Sequence, residues 1–261
     1  GSDMRALYAG FPAKGAVLAA MLAERDISGV PAVLEGEHGI LTMYFDGRYD
    51  RAAILADLGQ SFSGGLTLYK RWPAVGTAHS HIHATIRLMT ENALTHEEIA
   101  QIRVHVGDYH QIMCTPLETR RAPQTLVDAK FSLPFLVAVA AVNREMRLSH
   151  FTEAAISQPE VLGIAQKVTP IVDPALDWKL DLPPGRVDII TRDGRMFSMV
   201  GTAIPGSAEN PMTWDDILRK FTDCAEASTK PWSQARIAEA GSLAQQLEHV
   251  ADATALLRLQ P

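Results

Sequence analysis

The stretch GRVDIITRDGRMFSMVG, residues 185–201, decides how the middle of this chain folds. Two runs rich in Val, Ile, Phe and Met flank Asp193-Gly194. An Asp-Gly pair tolerates the positive φ of a tight turn, so the stretch reads as a β-hairpin. Upstream, QIRVHVG (101–107) alternates Ile102, Val104 and Val106 against Arg103 and His105, a second strand signal. In GGLTLYKRW (64–72), Leu66 and Leu68 alternate with polar partners and mark the start of the strand-bearing region. Helices fall between these strands. One follows Thr77, and a short one is announced by the Thr95…Glu98 capping box. A long apolar one covers roughly Thr125 to Met146, with Pro134 expected to kink or split it.

Outward on both sides the texture turns purely helical. Leu18, Met21, Leu22 and Arg25 follow helical spacing after Pro12, and YDRAAILADLG (49–59) reads as a second helix ending at Gly59. On the other side, TWDDILRKFTDCAEA (213–227) opens with Thr213 as cap and acids in the first turn, and Gln234 to Leu259 reads as another helix. The expected class is therefore α+β. Residues 1–63 form the first part of a helical domain, 64–206 an α+β insert, and 207–261 the returning helical part. The first and last pieces would together make one discontinuous all-helical domain.

Composition narrows the function classes. The 261 residues are 47% hydrophobic and 21% charged, typical of a soluble globular chain. A net charge of −6, with basic residues spread along the chain, gives no reason to expect nucleic acid. No apolar run approaches the length of a membrane span, and the opening lacks a basic-then-apolar leader pattern. Cys114 and Cys224 are the only cysteines. They predict a reducing, cytoplasmic setting, neither a disulfide framework nor a Cys-based zinc motif, and too few thiolates for an iron–sulfur cluster. Gly1-Ser2, with no initiator Met, reads as a tag scar or as the edge of one piece of a longer protein.

The chemistry-bearing segment is KRWPAVGTAHSHIHATIRLM, residues 70–89. On a strand His79, His81 and His83 would share a face, as a metal would require. Ile82, Ile86 and Met89 instead have helical spacing. On a helix His79 and His83 share a face, His81 points elsewhere, and no HExxH glutamate lies between them. No metal is expected. Two readings remain open on spacing: core-edge histidines, or an anion site in which Lys70, Arg71 and a first-turn histidine face a carboxylate. Imidazole titrates near neutrality, so such a histidine would also be able to move a proton.

Three segments resemble one known family. MRALYAGFPAKGAVLAAMLA (4–23), YKRWPAVGTAHSHIHA (69–84) and LVDAKFSLPFLVAVAAV (126–142) are similar, in order, to motifs of the MmgE/PrpD family. That family includes 2-methylcitrate dehydratase, cis-aconitate decarboxylase and iminodisuccinate epimerase. The resemblance implies a helical domain interrupted by a smaller α+β lid, a homodimer, and no cofactor. It also implies that this chain corresponds to the C-terminal part of a typical member. The missing N-terminal half would carry an Asp and further histidines of the site, leaving the chain inactive alone.

Carried over residue by residue, the resemblance places Arg5 where the family has a Lys and Lys70 at the cleft. It makes His79 the recurrent histidine after the Pro. Lys70 and His79 become the catalytic candidates, and Arg5, Arg71, Lys130 and Ser132 the substrate-binding ones. Val75 stands where the decarboxylase branch has a catalytic His, which disfavours decarboxylation, since valine cannot transfer protons. Near a lid Tyr of that branch the chain offers Tyr109, His110 and Gln111, with Gln111 aligned best. The expected activity is a cofactor-independent dehydratase (a lyase) acting on a 2-methylcitrate-like tricarboxylate, by α-proton abstraction and β-hydroxyl loss. The alternatives are an epimerase or isomerase of a dicarboxylate such as iminodisuccinate, or a non-catalytic split or degenerate subunit.

Overall fold

The computed structural model describes residues 4–179, 182–252 and 254–259. The chain is mixed α/β and divides into two compact units, residues 1–65 and 66–261.

The first unit is helical. Its longest element, α1 (Gly10–Ala23), is apolar all round, and none of its residues is buried. Phe11, Val17, Leu18, Met21 and Leu22 all face solvent. A short helix, Arg51–Leu55, is capped by Asp50, whose carboxylate accepts from Ala53 N at 3.1 Å. It ends well before Gly59.

The second unit holds the core. Its helix α2 (His79–Glu91) precedes strand β1 (Ile99–Val106). The Thr95…Glu98 box forms with both of its bonds, but it caps a single 3₁₀ turn that runs directly into β1. The predicted long apolar helix is split. α3 (Leu126–Lys130) stops at Phe131, and Ser132 caps α4 (Leu133–Asn143), with Pro134 in the first turn where a missing N–H costs nothing. Then come α5 (Pro159–Ala165), β2 (Val168–Val172), and the hairpin β3 (Gly185–Thr191) and β4 (Met196–Gly201). The hairpin turns as expected: Gly194 N–H returns to Thr191 O at 3.0 Å, with Gly194 at φ +86°. Two helices close the unit, α6 (Trp214–Glu226) and α7 (Gln234–Gln245). The expected run to Leu259 breaks after Gln245 into shorter turns.

Among the described residues there is one sheet, of order β2-β1-β3-β4, with β2 parallel to β1 and the other pairs antiparallel. β2 has no alternating pattern and contains Pro170, which an edge strand tolerates because one side needs no ladder donor. Leu66 and Leu68, in contrast, lie in no strand. Among the described residues they pair with no strand, and the nearby backbone bonds Tyr69 N to Gly206 O at 2.9 Å.

α2 lies across β3 and β4, α4 packs beside α2, and α5 packs on α4. Ile82, Leu88, Met89, Ile102, Val104, Phe135, Leu136, Val187 and Ile189 fill this layer and are fully or almost fully buried. The close fit depends on two glycines paired across the hairpin, Gly185 and Gly201. A Cβ on Gly201 would strike the Ser80 carbonyl, and one on Gly185 would strike the His81 ring. The first turn of α2 thus rests on bare backbone.

The opposite face of the sheet is more polar. There Asp188, 4% exposed, accepts from His105 Nε2 at 2.7 Å, from Arg186 Nε at 3.3 Å and from Ser198 Oγ. Burial opposes its ionisation, but the bonds from Ser198 and His105 outweigh that and hold its pKa below the usual carboxylate value. Arg120 and Arg121 prove to be backbone clamps. Arg120 donates to Thr115, Phe131 and Ile112 carbonyls, and Arg121 reaches Val168 O at 2.7 Å. No helix of the described residues is long and apolar enough to cross a membrane.

Candidate functional site

Residues 70–75 are held from several sides. Val75 N–H donates to Lys130 O at 3.0 Å, Arg71 pairs with Asp216 of α6 at 3.0 Å, and Lys220 Nζ donates to the Lys70 main-chain oxygen. The segment therefore ties the end of α3 to α6. Beside it opens a cleft of about 300 Å³, whose wall carries Trp72, the cations Arg71, Arg147, Arg219 and Lys220, and the carboxylates Glu145, Asp216, Asp223 and Glu226.

His79 begins α2 behind this wall. Its ring is fully buried and meets the edge of Trp72 at 5.2 Å, while His83, one turn on, lies 6.3 Å from the same indole. The helical reading of the histidines is thus the observed one, with His79 and His83 bracketing Trp72. Neither His79 nitrogen reaches a hydrogen-bond partner among the described residues. Burial pushes its pKa down to about 4. The Lys70 charge adds to this and Lys220 contributes less, against an opposing pull from the backbone groups of Trp72 and Ala74, of which the Trp72 group outweighs Lys220. Near neutrality His79 is an uncharged imidazole in a dry, positively biased position.

His81 points the other way, to the sheet. Its Nε2 donates to His105 O at 2.9 Å, so that nitrogen carries the proton and Nδ1 is left bare and buried. His110, 4.8 Å away and edge-on, donates from Nε2 to Thr77 O at 3.2 Å and also buries a bare Nδ1. These two rings are interior packing groups. Among the described residues no group of three or more His, Cys, Asp or Glu side chains converges as a metal would need.

The other candidate residues scatter. Lys70 is exposed and acts on His79 through its charge. Lys130 lies over the Phe151 ring at 5.6 Å. Ser132 is fully buried; its Oγ accepts from Phe135 N at 3.2 Å and donates to Arg120 O, so the backbone uses both capacities of the hydroxyl. Arg5 belongs to the first unit, and its side chain lies outside the described residues. Tyr109 is half exposed and tilted against Trp178 at 5.4 Å. Cys114 is buried, which drives its thiol up to about 12 and leaves it inert. Trp72, Asp216 and Lys220 were not foreseen as site residues. The Lys-Arg-Trp-Pro order pointed at the first of them, but no local signal links α6 to this segment.

The MmgE/PrpD C-terminal domain model matches residues 72–245, which spans His79, His81 and His83, the whole sheet and the cleft lining except Arg71. The chain belongs to the MmgE/PrpD family. A search among curated proteins finds no match.

Proposed function

As a member of the MmgE/PrpD family, a group with lyase- and isomerase-like folds, this chain contributes, we propose, the cationic wall and the proton-transferring histidine of a dehydratase. The substrate class is a 2-methylcitrate-like tricarboxylate. The observation that carries the reading is His79: buried, neutral, without a hydrogen-bond partner among the described residues, and set against the Trp72 indole, which lines a cleft of mixed charge that includes four cations. A buried imidazole left without partners costs stability, so packing alone gives no reason for it.

The chemistry follows from charge. With its pKa near 4, the free imidazole is unprotonated but a weak base. A carboxylate entering beside Lys70 and Arg71 would offset the lysine charge that depresses this pKa. It would thereby raise the basicity of His79 when substrate is present. The cations would stabilise the enolate-like charge formed as the α-proton leaves and the β-hydroxyl departs. Trp72 must shift for the imidazole to reach the cleft. The activity is assigned to the assembled enzyme, with an N-terminal half supplying further groups, in a homodimer.

Incubating the assembled protein with 2-methylcitrate in deuterium oxide tests this by mass spectrometry. An alkene product is expected. Exchange of a C–H proton without alkene would instead assign an epimerase, and neither change would discard the proposal. His79→Phe should lower turnover at least about 100-fold, the scale of one general base, while stability holds or rises by about 1 kcal/mol. Retained turnover in a destabilised variant would make His79 structural.

A further inference from the structure

We propose that Lys220, on α6, is a substrate-carboxylate binding residue of the cleft. This inference rests on the proposed function and adds a group contributed by a helix far from the Lys70–His83 segment.

The argument is one of pairing. Four cations line the cleft together with four carboxylates, Glu145, Asp216, Asp223 and Glu226. Asp223 accepts from Leu148 N at 3.1 Å and Glu226 from Gln234 Nε2 at 2.5 Å. Arg71 is paired with Asp216 at 3.0 Å, Arg219 reaches the same carboxylate at 3.5 Å, and Arg147 is paired with Glu145 at 3.0 Å. Asp216 is held ionised by Thr213 and by Arg71, so it is a full countercharge. Lys220 makes no ion pair among the described residues. Its ammonium donates to a neutral acceptor, the Lys70 main-chain oxygen. An ammonium has three donors, so a ligand oxygen can be added without breaking that bond.

Position agrees with charge. The bond to Lys70 holds Nζ at the end of the cleft where residues 70–72 pass. The Lys220 charge is also felt by the buried His79 ring. A carboxylate bound to Lys220 would therefore sit beside the same indole that covers His79. The half-buried setting strengthens a charge-assisted bond relative to a solvated lysine.

Citrate, a stable tricarboxylate, serves as the probe for the full chain. Calorimetry gives its affinity, and NMR follows both the Trp72 indole signal and the titration of the His79 ring. Lys220→Gln is expected to weaken citrate binding at least about tenfold, the effect of one charged hydrogen bond, and Lys220→Arg to retain most of it. In the free protein Lys220→Gln should also raise the His79 pKa, because a charge facing it has gone; a lysine that merely braced Lys70 would leave that titration unmoved. Citrate that binds and shifts Trp72 equally in wild type and Lys220→Gln overturns the inference and leaves the proposed function standing. Failure of millimolar citrate to bind the wild type removes the carboxylate cleft itself, and this inference with it.

Discussion

Replacing Gly201 with valine is expected to destabilise the α+β body by at least about 3 kcal/mol, beyond what an exposed strand-end substitution would cost. The residue closes β4, and its partner across the ladder is Gly185. A Cβ at Gly201 would collide with the Ser80 carbonyl, which is main chain and has no alternative rotamer. Relief would require the first turn of α2 to lift from the sheet, opening space around Ile82 and Leu88 and withdrawing apolar contact. Gly185→Ala should cost less, because the obstacle there is the His81 ring, yet that ring is buried and bonded to His105 O at 2.9 Å. Urea unfolding monitored by hydrogen exchange of β3 and β4 amides measures both. A Gly201→Val midpoint equal to wild type would mean that α2 does not rest on β4.

These glycines show where reading a chain reaches its end. The hairpin was legible because Asp193-Gly194 is a local turn signal between two strand-like runs. The Thr213 cap and the break ahead of Pro134 were legible for the same reason: each is decided within a few residues. β2 was not, since its pairing with β1 comes from the sheet and Pro170 argues locally against a strand. The Leu66–Leu68 alternation failed in the opposite way: a pattern without a partner makes no strand. In the site, helical spacing placed His79 and His83 on one face and set His81 apart. Lys220, 150 residues from Lys70, was beyond any local pattern. Ser132 shows the remaining ambiguity: a signature hydroxyl whose bonds both go to backbone looks, in sequence, like one reserved for a ligand.

Acidification from pH 7.5 to 5.5 is expected to remove at least about 2.7 kcal/mol of stability through His79 and His81, with the buried His110 adding to the loss. Burial pushes His81 down to about 3, helped by His110 and His105 and resisted by its bond to the His105 carbonyl. It pushes His79 down to about 4, with Lys70 and Lys220 assisting, and it lowers His110 against the pull of Thr77 O and Asp108. In the unfolded chain each titrates near 6.5. Below that value the unfolded state takes up protons that the folded state refuses, so stability is complete above pH 6.5 and falls as pH drops toward the folded values. His79 and His81 each contribute a slope of about 1.4 kcal/mol per pH unit in that window. Carboxylates do not produce this loss. Asp188 and Asp216 have lowered pKa values, and the stability they add disappears only at more acidic pH. Chemical unfolding at a series of pH values should give a slope of at least nearly two protons between pH 6 and 5. His81→Gln keeps a donor for His105 O and removes one titrating ring, so it should reduce that slope by about one proton. A flat profile from pH 6.5 to 5, or an unchanged slope in His81→Gln, would mean that these rings are hydrated in solution. His79 could then not be the dry, neutral base on which the proposed chemistry depends.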